Sequence, residues 1–135
     1  MGAVVVAARR STRTLYGAIS MALSELEQKR CERAMGALLE KRRPPAHIRP
    51  KLDIGIRVSS QSVEVFAVRP RWDQPQEKME TPIAKATYLK AKDVWRVFWM
   101  RQDLKWHRYA PAPEVVSLEE FAQLVHEDKH ACFFG

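Results

Sequence analysis

A chain of 135 residues has the length of one domain, and a domain of this size buries enough surface to fold without staples. With 46% hydrophobic and 29% charged residues it has an ordinary globular composition, which excludes general disorder, and no run approaches the ~20 apolar residues of a membrane helix, so no membrane partner is expected. Lys and Arg number 23 against 16 Asp and Glu, so the chain is basic at +7; its two distant cysteines, Cys31 and Cys132, exclude a disulfide framework and suit a reducing cytoplasm.

Residues 1–20 hold three arginines and no acid. Their apolar run Ala3–Ala8 precedes the arginines, the reverse of a secretory signal's charge order. The Arg, Ser and Thr content matches a mitochondrial transit peptide, but the plainer account is a start at Met21 with a poorly ordered extension before it. Residues 21–135 are then expected to form a single α+β domain.

From Ser20 to Arg43 the spacing of Leu23, Leu26, Cys31, Ala34, Met35, Leu38 and Leu39 predicts a helix, with Pro44 and Pro45 ending it. Cys31 falls on the apolar face and is expected to be packed and inert. The period then drops to two. Leu52–Val58 and Ser62–Arg69 predict a hairpin around Ser59–Ser62. Pro70–Pro82 is a polar loop, Ile83–Lys90 a third strand and Val94–Arg101 a fourth. Phe98 faces one side of that strand, Trp95 and Trp99 the other, and all three are expected in the core. Gln102–Tyr109 reads equally as a bulged continuation or a loop. Ser117 and Glu120 form a capping box ahead of a helix ending near Asp128. The predicted architecture is an N-terminal helix, a four-stranded mostly antiparallel sheet and a C-terminal helix.

Charge divides along the chain. Lys41–Arg108 carries 16 basic and 7 acidic residues, whereas Tyr109–Gly135 has one lysine and five acids. A basic field draws polyanions, although a modest excess also serves solubility alone. The sequence has no Gly-rich phosphate loop, nucleophile elbow, paired-His zinc motif or Cys-x-x-Cys pair. The densest segment is Trp95–Tyr109, where bases alternate with rings, and Arg69-Pro-Arg-Trp72 repeats the theme. Cations beside stackable rings suit single-stranded nucleic acid. The candidate surface is Arg69, Arg71, Trp72, Arg101, Lys105, Trp106, Arg108 and Tyr109. Exposure of Trp72 and Trp106 stays open at this point.

Two other chemistries deserve weight. His107, His126, His130 and Cys132 carry the donor types of a tetrahedral zinc site, but their spacing matches no finger; a helix ending in histidines is the plainer account. No other cofactor is expected. Asp103 and His107 could work as an acid–base pair, with Glu64 or Asp53 on nearby strands. The plainer account has Asp103 ordering a turn by pairing with Arg101, Lys105 or Arg108.

The motifs Arg69-Pro-Arg-Trp72, Ala84-Lys-Ala86 before Tyr88, Trp95-Arg-Val-Phe-Trp-Met-Arg101, Asp103-Leu-Lys-Trp-His-Arg-Tyr109 and Cys132-Phe-Phe-Gly135 resemble a small bacterial family. It is the domain of unknown function family three-zero-two-four, and the Pro44-Pro45…His47-Ile-Arg49 stretch fits it too. The likeness covers Met21 to Gly135. It implies a bacterial cytosolic origin and sets residues 1–20 apart, but carries over no catalytic residue. The leading expectation is a non-enzymatic nucleic-acid-binding module. The alternatives are an enzyme or metal protein built on Asp103, His107, His130 and Cys132, and a protein–protein adaptor using a sheet edge or the acidic tail.

Overall fold

The computed structural model describes residues 23–134. The extension expected over residues 1–20 lies outside them. Helix α1 spans Glu25–Arg42 and starts at a capping box. Ser24 Oγ accepts from the Glu27 N–H at 3.1 Å, and the Glu27 carboxylate accepts from the Ser24 N–H at 2.9 Å. This box fixes the start later than the apolar spacing suggests, because satisfied end groups outweigh periodicity there. Helix α2 spans Leu118–Glu127 with Ser117 as its cap, as expected. Only half of the capping box expected there forms: Ser117 Oγ accepts from the Glu120 N–H, but the Glu120 carboxylate reaches one residue further and accepts from the Val116 N–H instead of that of Ser117.

Between the helices run β1 (Asp53–Ser59), β2 (Ser62–Pro70), β3 (Lys78–Leu89), β4 (Val94–Met100), β5 (Trp106–Arg108) and β6 (Glu114–Val115). They form one antiparallel sheet in the order β1-β2-β3-β4-β5, with β6 also on β4. The sheet thus has six strands where four were expected. Strand β3 reaches back to Lys78, because Lys78–Pro82 pairs with Phe66–Pro70 through a register shift at Val65/Phe66. The Gln102–Tyr109 ambiguity resolves into a turn and then β5.

Alternation sorts the strands into two faces. Ile56, Val63, Ala86, Trp95 and Val97 share one core with Cys31, Met35 and Leu38 of α1 and with Phe121 and Val125 of α2. Both helices therefore cover the same face in an α+β two-layer arrangement. Arg43, just past α1, clamps the sheet by gripping Asp53 at the start of β1 (Nε–Oδ1 2.8 Å, Nη2–Oδ2 2.9 Å). After α2, Asp128 turns the chain at φ 45° and its carboxylate accepts from the N–H groups of Phe133 and Phe134. That folds Phe133 into the core and sets Phe134 under the Arg42 guanidinium, 4.2 Å from the ring centre.

The opposite face is covered by no described element. Cross-strand register arranges it in rows. One row crosses all five strands as Arg57, Glu64, Lys85, Phe98 and Arg108. Beside it on one flank lie Phe66, Pro82, Met100 and Trp106; on the other lie Ser62, Thr87, Arg96 and Glu114.

Candidate nucleic-acid interface

The sheet's open face is where bases and rings meet. Phe98 on β4 and Trp106 on β5 are half-buried neighbours. The Lys85 ammonium from β3 sits between them, 5.1 Å from the Phe98 ring centre and 5.0 Å from that of Trp106. Both distances are within reach of a cation–π attraction. The same device recurs at the far edge, where Arg57 lies 4.5 Å from the Phe66 ring centre. Phe66 stands opposite Gly55 on β1, and that position has no side chain to lift the ring from the sheet. The ring is 3% exposed although it lies off the main core.

Cations on this face fall into two groups, and Glu64, between Arg57 and Lys85 in the row, has no cation within ion-pair distance among the described residues. Arg57 is held by Glu80 at 2.6 Å, and Glu114 is shared by Lys92 and Arg96. In contrast, Lys85 and Arg108 have no carboxylate partner within ion-pair distance among the described residues, nor do Arg101 and Lys105 in the β4–β5 turn. Arg101 lies 5.4 Å from the Trp99 ring centre. An open concavity of about 570 Å³ is lined by Trp99, Met100, Arg101, Gln102 and Asp103, at the end of β4 and in that turn.

The eight residues of the candidate surface do not form one patch. Trp106 and Arg108 lie on the open face. Arg101 and Lys105 lie in the adjoining turn. Arg69, Arg71 and Trp72 lie at the β2–β3 connection, where Arg71 is spent on Asp73 and Glu77 at 2.7 Å each. Trp72 is 90% exposed. Tyr109 must be withdrawn from the surface. It is 1% exposed, with its ring centre 4.8 Å from that of Phe133, because the residue after β5 turns toward the helices. Phe98 also departs from expectation, since it stands on the open face rather than in the core. Lys85 lies outside the eight residues of the candidate surface; its alternation with Ala84 and Ala86 is the sequence signal that places it on the open face.

The other candidate sets are only partly assembled. His107 Nε2 and Asp103 Oδ2 are 2.8 Å apart, and Asp103 Oδ1 accepts from the Lys105 N–H. The hydrogen bond with His107 holds the Asp103 carboxyl below its usual value, helped by the Lys105 N–H. Neither suggested partner joins this pair: Glu64 belongs to the open-face row opposite Arg57, and Asp53 is taken by Arg43. Asp103 thus orders the turn, through His107 and a backbone N–H rather than the cations expected. The zinc candidates are scattered. His126 lies in the last turn of α2, and exposed His130 stands edge-on to Tyr109 at 6.4 Å. Cys132 Sγ is 3.7 Å from the His130 carbonyl oxygen. No three His, Cys, Asp or Glu side chains gather as a metal centre among the described residues.

No described helix is long and apolar enough to cross a membrane. No curated protein and no solved structure matches the chain. A family model does, over residues 23–135, and by that match the chain belongs to the family described as Domain of unknown function (DUF3024).

Proposed function

We propose that this protein is a non-enzymatic module that binds single-stranded nucleic acid on the open face of its sheet. The observation that carries this reading is the Lys85 ammonium held between the Phe98 and Trp106 rings on a face without a helix. A phosphate arriving at Lys85 draws the ammonium away and frees both rings to stack on bases. Arg108, Arg101 and Lys105 supply further phosphate contacts around them. A flat face of this kind suits splayed bases rather than a duplex groove.

The test is fluorescence anisotropy of a labelled single-stranded oligonucleotide over a range of salt. Trp106→Ala is expected to weaken binding about tenfold or more, the worth of one lost stack. Lys85→Ala is expected to weaken it and to flatten the salt slope by about one unit. Unchanged affinity and slope in both variants would refute the assignment.

A further inference from the structure

Of the six large hydrophobic side chains exposed among the described residues, four sit at one end of the sheet. Topology puts them there. The α1–β1, β2–β3 and β4–β5 connections all open at that end, because β1, β3 and β5 start from it and β2 and β4 run into it. Ile48 comes from the first connection, Trp72 from the second with Met79 at the start of the strand that follows it, and Leu104 from the third. Lys78 Nζ donates to the Pro50 carbonyl at 2.8 Å and ties the first two together. The β2–β3 hairpin also overhangs the sheet, since Lys78–Ile83 lies beyond the last β3–β4 pair, Ala84–Trp99.

The charges at this end lean positive. Asp53 is paired with Arg43 and Glu80 with Arg57, Asp73 and Glu77 share the single Arg71, and Asp103 is hydrogen-bonded to His107. Arg49, Lys51, Arg69, Lys78, Arg101 and Lys105 have no carboxylate partner within ion-pair distance among the described residues. Leu104 is 80% exposed and has φ 62°, a backbone conformation that disfavours a leucine and favours glycine or asparagine. Its side chain projects into solvent from a backbone that a smaller residue would hold more easily.

We infer that this end docks on an anionic phospholipid surface, with Trp72 and Leu104 dipping to the headgroup boundary and the unpaired cations meeting lipid phosphates. Aliphatic tips discriminate between partners. Nucleic acid could stack on Trp72 but has no use for Leu104, Met79 or Ile48, whereas a bilayer interface takes all four. The unpaired lysines and arginines at the same end fit the negative surface of an anionic leaflet. This inference shares Arg101 and Lys105 with the sheet-face reading but not its stacking site of Lys85, Phe98 and Trp106.

The test is co-sedimentation of the full chain with phosphatidylcholine vesicles, with and without about a third phosphatidylglycerol. Binding is expected only with the anionic lipid, falling as salt rises, with a blue shift in tryptophan emission. Trp72→Ala with Leu104→Asn, an exchange that suits the left-handed backbone, is expected to weaken it at least tenfold. Lys85→Ala should leave it unchanged. Failure of the wild type to sediment, or equal sedimentation of the double variant, would overturn the inference. So would a double variant that loses oligonucleotide binding while keeping vesicle binding.

Discussion

Replacing Asp53 by Asn probes the joint between α1 and the sheet. The Asp53 and Arg43 side chains are 11% and 15% exposed and share two charge-assisted bonds, and Asp53 Oδ1 also accepts from the Ile54 N–H at 2.8 Å. Asparagine keeps one acceptor and the shape, but removes the charge and half of the fork. Breaking a buried pair by removing one partner costs ~3–5 kcal/mol. Partial exposure lets water reach the orphaned guanidinium, so about 2–3 kcal/mol is expected here. In a domain of this size that lowers Tm by roughly 8–12 °C. Urea titration of Asp53→Asn, Arg43→Met and the double variant gives the coupling, expected at about 2 kcal/mol. The pair also sets an acid limit. Burial raises the Asp53 pKa, but the Arg43 bonds, the Ile54 N–H and the Arg43 and Arg49 charges outweigh it and leave the carboxyl below its usual value. A lowered native pKa contributes stability that is complete above the unfolded value of about 3.9 and is lost as pH falls through the native one. The wild-type and Asp53→Asn stability curves should therefore run parallel above about pH 4 and converge below it. A cost under about 0.5 kcal/mol, or additivity within that margin, would refute this account of the joint.

Alkylation of the native protein at neutral pH should label Cys132 and spare Cys31 until unfolding, as read by mass spectrometry. Cys31 is 5% exposed, and burial, followed by Glu27, Glu32 and Glu119, pushes its pKa up to about 12. Ser60→Asn should raise the urea midpoint by the equivalent of about 0.5 kcal/mol, because Ser60 turns the β1–β2 hairpin at φ 54°. Tyr109→Ala should cost ~3–5 kcal/mol in the same assay. Tyr109→Phe should leave oligonucleotide affinity at the wild-type value, as its buried position requires.

Helix and strand identity was legible where side-chain period and caps agreed. Ser117 with Glu120 located α2, and the alternation of Ile54, Ile56 and Val58 located β1. The Ser24–Glu27 box was equally present in the sequence, but the apolar spacing upstream drew the start of α1 too early. Strand β6 and the first residues of β3 carry little periodic signal; they are strands because β4 and β2 offer them backbone partners. The candidate site suffered more. Alternation separated Phe98 from Trp95 and Trp99, but which of those faces receives the helices depends on packing between segments far apart in the chain. Tyr109 adjoins Trp106 and Arg108 in sequence, but the chain after β5 turns inward and carries its ring into the core.

The placement of both helices on one face has a consequence for folding. The strands form a meander in which most neighbours in sequence are neighbours in space, so its hairpins close short loops. The helices are separated by the whole sheet, and α1 and α2 contact each other across that interval. On the ribosome α2 is the last described element to emerge. Until then the core faces of β3, β4 and β6 lack part of their cover, and a pause or truncation before Phe121 leaves an apolar sheet face open to aggregation. The same connectivity makes α2 the element whose loss would most readily expose the core, so proteolysis should be limited by its undocking rather than by opening of the meander.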